Sequence, residues 1–275
     1  MALVQVDFFS QSLMRTVTFQ AIIPTDKIIK GKVQTEKKTF KTLYLLHGVF
    51  GNYTDWVTGT RIQRWAQDND LAVIMPSGEN KFYIDNERTQ EYYSKFIGEE
   101  LVNFTRRMFP LSDKKEDTFI AGLSMGGYGA MVNGLKYYDT FGYIASLSAA
   151  FLIESYPNAV DGDNVGYLSK RSFLESIFGD LNQLQGSDKD YKALLLKIPQ
   201  KQIPKIYIAC GTEDFLIKEN RDFRDYLIEH NVDVTYEEGK GTHEWDFWDR
   251  YILKILDWLP LNKKDEGLNS GHVSK

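Results

Sequence analysis

The run Thr118-Phe-Ile-Ala-Gly-Leu-Ser-Met-Gly-Gly-Tyr-Gly-Ala-Met131 contains Gly-x-Ser-x-Gly at Gly122, Ser124 and Gly126. A serine hydroxyl is a weak nucleophile until a neighbouring base takes its proton. An apolar run precedes this serine, and a helical stretch opening on Gly126, Gly127, Gly129 and Ala130 follows it. A strained turn from strand to helix exposes the hydroxyl, and side chains two residues before or after would collide with that turn. The chemistry it could support is attack on an acyl carbon.

The base should be a histidine, and the chain has four. His272 lies in a polar tail. His230 ends an amphipathic helical stretch, where it suits the helix dipole. His47 closes an apolar run before Gly48, a place for backbone donors and not for a base. His243 remains, in Gly239-Lys-Gly-Thr-His-Glu-Trp245, a glycine-bearing loop between the last strand and the last helix.

An acid that orients the imidazole should leave a strand lying between Ser124 and His243. Ile206-Tyr-Ile-Ala-Cys-Gly-Thr-Glu-Asp-Phe215 offers two adjacent carboxylates, Glu213 and Asp214. Neighbours in a turn point different ways, so only one can face His243, and residue types alone leave both open. Asp246 would have to fold back along its own helix. Cys210 follows a buried run and reads as an inert structural thiol.

Acyl transfer develops a negative oxygen that needs convergent N–H donors. Met125 supplies one. Val49 supplies the other, from His47-Gly-Val-Phe-Gly-Asn-Tyr-Thr-Asp-Trp56, where Gly48 and Gly51 allow close approach. Phe50 and Trp56 are candidates for the pocket wall, although either could be core.

The elements that must position these groups follow from periodicity. Alternating patterns over 3–10 and 15–23 predict antiparallel strands, and the Lys-rich stretch 26–41 a hairpin or surface loop. Short continuous apolar runs follow at 43–46, 71–75, 118–121, 143–147 and 206–209, with a more mixed one at 232–236. Runs buried on both faces are what a parallel sheet between helices requires. Helical stretches at 61–67, 91–109, 125–138, 217–230 and 245–258 alternate with them. The fold class is α/β, a doubly wound and mostly parallel sheet with an N-terminal antiparallel hairpin. The interval 151–204 breaks the rhythm, with helical pieces at 172–178 and 191–196. It is expected to be an insertion over the carboxyl ends of the strands, where such sheets bind ligands. Tyr83, Phe151, Leu152 and Ile153 leave the sheet at that same end. They are expected to wall a small pocket that favours short acyl chains.

The chain has 275 residues, with 33 basic and 38 acidic ones giving a net charge of −5 and no long block of either sign. A nucleic-acid partner would need a basic face, so none is expected. No run approaches the ~20 apolar residues of a membrane span. The N-terminus lacks a basic segment followed by an apolar stretch and cleavage site. The only cysteine is Cys210, so no disulfide forms within the chain. A cytoplasmic location is expected, and a homo-oligomer is left open.

Four segments together resemble one family: His47-Gly-Val-Phe-Gly-Asn with Asp-Trp56, Gly122-Leu-Ser-Met-Gly-Gly-Tyr-Gly129, Gly211-Thr-Glu-Asp214, and His243-Glu-Trp-Asp-Phe-Trp248. They are similar to the esterase D family of α/β-hydrolases, nearest to bacterial tributyrin esterases. The S-formylglutathione hydrolases, feruloyl esterases and mycolyltransferases are more distant. The likeness runs from about residue 4 to 261.

It implies a single α/β-hydrolase domain over 1–262, with 151–204 as a cap and 263–275 as a loosely attached polar tail. It also implies a serine carboxylesterase that needs no metal or organic cofactor and hydrolyses small short-chain acyl esters. The family pattern places the acid at Asp214, completes a triad with Ser124 and His243, and gives Val49 and Met125 as oxyanion donors. The oxyanion loop departs from the Ser-Gly-Leu-Thr-Cys pattern of S-formylglutathione hydrolases, which ranks the glutathione thioester lower. Feruloyl or cinnamoyl esters and acyl transfer to an alcohol are the other enzymatic alternatives. An inactive binding module would have no need to keep every one of these residues.

Overall fold

The alternating N-terminal runs pair as expected. In a computed structural model, which describes residues 1–29, 32–33 and 39–261, β1 (Ala2–Ser10) and β2 (Arg15–Ile23) form an antiparallel ribbon from Ala2↔Ile23 to Ser10↔Arg15. The short apolar runs become β3 (Lys41–Leu46), β4 (Leu71–Pro76), β5 (Thr118–Leu123), β6 (Tyr143–Leu147), β7 (Lys205–Gly211) and β8 (Val234–Gly239). One eight-stranded sheet results, in the order β1-β2-β4-β3-β5-β6-β7-β8. β2 meets β4 antiparallel, and the strands from β4 to β8 are parallel.

Successive strand residues face opposite sides, so each strand feeds two cores. Tyr44, Leu46, Ile74 and Ile120 enter one core, while Leu43, Leu45, Val73, Phe119 and Ala121 enter the other. The helices are α1 (Asp55–Gly59), α2 (Ile62–Asp68), α3 (Leu101–Met108), α4 (Met125–Lys136), α5 (Arg171–Phe178), α6 (Tyr191–Lys197), α7 (Ile217–Glu229) and α8 (Trp245–Trp258). Met131 and Leu135 of α4 with Phe223 and Leu227 of α7 cover the first face. Trp65 of α2 with Phe247, Ile252 and Leu256 of α8 cover the second.

The chain order reverses at β3, which lies between β4 and β5. A crevice opens beyond the carboxyl ends of strands at such a switch point. The register Leu46↔Gly122 brings the loop after β3 beside the turn after β5. Two remote motifs become neighbours there.

The single helix expected over 91–109 is broken. Glu91–Tyr92 pairs with Asp85–Asn86, Tyr93–Lys95 makes a helical turn, and a π-helical segment, Phe96–Glu100, precedes α3. Gly98 lies in that π-helical segment and admits the Tyr137 ring, from which a Cβ there would stand 2.1 Å. The last strand starts at Val234 and reaches Gly239, later than 232–236.

The insertion carries α5 and α6 together with short 3₁₀ turns at Tyr156–Asn158, Tyr167–Ser169, Leu181–Gln183 and Gln200–Gln202. Within the stretch 26–41, Ile28–Ile29 pairs with Lys32–Val33. Residues 30–31 and 34–38, and the tail with His272, lie outside the described residues. Among the described residues no helix is long and apolar enough to cross a membrane.

Candidate active site

Ser124 stands between β5 and α4 with φ 53° and ψ −119°, a backbone that few L-residues adopt. Hydrogen bonds hold it there. Its N–H donates to the Leu147 carbonyl at 2.9 Å, and its carbonyl accepts from Tyr128 and Ala150, each at 3.1 Å. The flanking glycines are obligatory. A Cβ on Gly122 would lie 2.2 Å from the Gly126 carbonyl, and one on Gly126 would lie 2.4 Å from that of Leu46. The first crowding lies within the turn, as expected, and the second is against the neighbouring strand.

The geometry separates the two candidate carboxylates. Asp214 is buried, and its Oδ2 lies 2.9 Å from His243 Nδ1. Its Oδ1 accepts from the Leu216 N–H at 2.9 Å. Burial alone would raise the Asp214 carboxyl, but the hydrogen bonds from His243, Leu216 and Ser148 hold it below its ordinary value. Glu213 is exposed on the outside of the turn, and Asp246 is exposed in the first turn of α8. The His243 ring packs against Phe215 at 4.8 Å and stands edge-on to Trp248 at 4.9 Å. His230 caps α7, its Nδ1 2.8 Å from the Tyr226 carbonyl. Cys210 is fully buried, and burial first, then Asp214, pushes its thiol up to about 12. It is chemically inert there.

The loop after β3 is held by a group whose task the residue types did not disclose. His47 Nε2 accepts from the Gly78 N–H at 2.9 Å, so Nδ1 carries the proton and donates to the Gly48 carbonyl at 2.6 Å. Burial lowers the pKa of this imidazole and keeps it neutral. The sign of the consequence is definite. Unfolded His47 takes up a proton as pH falls through about 6.5, whereas the folded ring resists, so the contribution is complete above that pH and is lost below it. The melting temperature difference between wild type and His47→Gln should shrink as pH drops through this range.

One cavity of about 860 Å³ gathers Ser124, His243, Met125, Val49 and Phe50, with Leu152, Tyr156, Leu168 and Leu174 lining it from the insertion. It is larger than the small pocket expected from the sequence. Four expected wall residues are corrected. Phe151 is 4% exposed and packs on Tyr191 and Phe223, with ring centroids 4.8 and 4.6 Å away. Ala150 and Leu152 line the cavity while Phe151 between them is core, in a segment that turns tightly after β6 through the bonds Phe151 N–H to the Ala149 carbonyl and Leu152 N–H to the Ala150 carbonyl, each 2.9 Å. Ile153 is core as well.

Tyr83 is fully buried beneath the loop after β3, and its hydroxyl donates to the His47 carbonyl at 3.0 Å. Its neighbour Phe82 lines the cavity instead. Trp56 is 1% exposed, and its indole N–H donates to the Leu46 carbonyl at 3.0 Å. Both polar tips found backbone partners in the core, as buried Tyr and Trp require. Leu168 and Leu174 line the cavity without having been singled out by the sequence, and Trp248, quoted there only within a family motif, lines it too. Among the described residues no group of three or more His, Cys, Asp or Glu could hold a metal ion.

A hydroxyl on a strained turn, an imidazole held by a buried carboxylate and backbone N–H groups around one cavity can together perform acyl transfer. A family model described as "Putative esterase" matches residues 10–259. The chain belongs to this esterase family. An acetyl esterase of Caldicellulosiruptor saccharolyticus is 47% identical over 262 residues, covering 94% of this chain and 98% of that protein.

Among solved structures, the substrate-bound fluorophosphonate-binding serine hydrolase F of Staphylococcus aureus superposes with a TM-score of 0.81 at 34% identity. An S-formylglutathione hydrolase from the same organism superposes at 0.79 and 34%. Each covers 94% of this chain and 98% of its own. The fold is that of the α/β-hydrolases, and this esterase is a serine hydrolase acting on carboxylic esters.

Proposed function

We propose that this esterase hydrolyses small short-chain acyl esters, acetyl to butyryl, through an acyl-enzyme on Ser124. His243 takes the Ser124 proton as Oγ attacks the ester carbonyl, and the same imidazole then protonates the leaving alcohol. Water repeats the attack on the acyl-enzyme. Asp214 holds the imidazole in the tautomer with its proton on Nδ1. The N–H groups of Val49 and Met125 receive the developing oxyanion, and Met125, as the first residue of α4, has no partner for its N–H inside the helix. The observation that carries this reading is that His243, held by the buried Asp214 at 2.9 Å, lines the same cavity as Ser124. Residues 1–262 act as one unit in this scheme, with 151–204 covering the site.

The acetyl esterase relative supports the acetyl end of the range, and the resemblance to tributyrin esterases supports the butyryl end. A glutathione thioester is the second reading, since one similar structure is described as an S-formylglutathione hydrolase. The cavity opposes it. Asp55 and Glu244 line it and no Lys or Arg does, which disfavours an anionic leaving group such as glutathione. A cytoplasmic site of action accords with the inert, buried thiol of Cys210.

The test is a p-nitrophenyl ester series with mass-spectrometric mapping of fluorophosphonate labelling. The label should fall on Ser124. Each methylene that fits should gain about 0.8 kcal/mol, and the short-chain reading expects kcat/KM to peak between acetyl and butyryl and to fall by octanoyl even though the whole cavity is larger than such an acyl group. Leu152→Ala or Leu174→Ala should move the optimum to longer chains. Phe151→Ala should instead cost about 3–5 kcal/mol of stability and leave the chain-length profile in place. Labelling elsewhere, or a profile flat to octanoyl, would refute the proposal.

A further inference from the structure

We propose that Ser148 and Trp248 are positioning residues that close a ring with Asp214 and His243 and hold both in register. The inference rests on the proposed roles of those two residues. Ser148 is the first residue after β6, fully buried, with φ 46°. Its N–H donates to the Ala209 carbonyl at 2.8 Å, which ties the strained backbone to the neighbouring strand β7.

The Ser148 Oγ accepts from the Trp248 indole N–H at 3.1 Å. With that lone pair occupied, the hydroxyl proton has two neighbours, the Asp214 carboxylate and the Cys210 thiol. The thiol stays protonated at ordinary pH and is a weak acceptor, so the carboxylate receives the hydrogen bond. Asp214 has two donors at 2.9 Å, the Leu216 N–H and His243 Nδ1, and the proposed ring gives it the Ser148 hydroxyl as a third.

Trp248 closes the circuit from the other side. Its ring stands edge-on to the His243 imidazole at 4.9 Å and 90°, while its N–H fixes Ser148. One indole therefore supports the base by packing and the acid through a hydroxyl. Each contact removes a rotation that another would otherwise have to restrain. The left-handed backbone at Ser148 is a place where glycine fits more readily, so a serine there needs a reason. The hydroxyl is that reason. The titratable groups beside Asp214 and Ser148 are His243 and Cys210, with Glu238 within electrostatic reach of the thiol, and the Trp248 indole is the uncharged donor on the remaining side.

The test uses the full chain with Ser148→Ala, Trp248→Phe and the double variant. Ser148→Ala should lower kcat about tenfold at little change in KM, the effect of one lost orienting hydrogen bond. Without the hydroxyl more of the carboxylate charge acts on the imidazolium, so the acid limb of the kcat/KM profile should move to higher pH. Trp248→Phe removes the indole N–H while leaving a smaller aromatic ring beside the imidazole, and should move both readouts the same way by less. The double variant should lose no more than Ser148→Ala alone, because the indole N–H acts through the hydroxyl.

If Ser148→Ala does not fold, Trp248→Phe carries the same two readouts. Wild-type kcat and an unmoved acid limb in folded Ser148→Ala, or losses that multiply in the double variant, would overturn the ring. Fluorophosphonate labelling of the wild type separates the two proposals. Without a label on Ser124 both fall, whereas a labelled wild type beside a fully active Ser148→Ala defeats the ring alone.

Discussion

Ser124→Ala and His243→Ala should each lower kcat by about 10⁴- to 10⁶-fold, and the double variant should lose little more. The expectation follows from acting as a unit. Without the hydroxyl no covalent intermediate forms, and a base with no proton to take contributes nothing further. What activity remains comes from the oxyanion donors and from binding. KM should change far less than kcat, since Phe82, Leu152 and Leu174 line the cavity whether or not the hydroxyl is present. Single and double variants assayed on p-nitrophenyl acetate decide the matter. Losses that multiply would mean that Ser124 and His243 act independently.

Asp214→Asn should cost about 10⁴-fold in kcat, while Glu213→Gln should cost far less. An asparagine can present its amide N–H to Nδ1, which favours the tautomer with the proton on Nε2. That nitrogen could then no longer accept the serine proton. Asp214 is 2% exposed and 2.9 Å from Nδ1, whereas Glu213 is exposed on the outside of the same turn. The side-chain volume barely changes in either replacement, so circular dichroism should show both variants folded. A larger loss at Glu213 would transfer the acid to that residue.

Much of the architecture was legible because it is local. Runs such as Leu43–Leu46 are apolar on both faces, and a strand of that kind has to lie between two covering layers. Gly-x-Ser-x-Gly between an apolar run and small helical residues specifies a turn whose φ of 53° follows from backbone sterics. The helix over 91–109 was misjudged for the converse reason. The pairing of Glu91–Tyr92 with Asp85–Asn86 joins two separate segments, and apolar spacing along the chain does not record it.

The site itself divides the same way. The sequence determined which kinds of residue are present and on which loops they lie: a serine on a glycine-flanked turn, a histidine before the last helix, adjacent carboxylates after β7. It could not say that Phe151 turns into the core while Leu152 faces the cavity, since the turn after β6 follows no period and Phe151 is placed by its packing on Tyr191 of α6 and Phe223 of α7. Nor could it show that Tyr83 and His47 brace the loop after β3, or that an indole and a hydroxyl 100 residues apart meet beside Asp214. Those contacts lie between elements. Only the packing of strands, helices and insertion sets their distances, because no periodicity along the chain records which buried polar atom will find which partner.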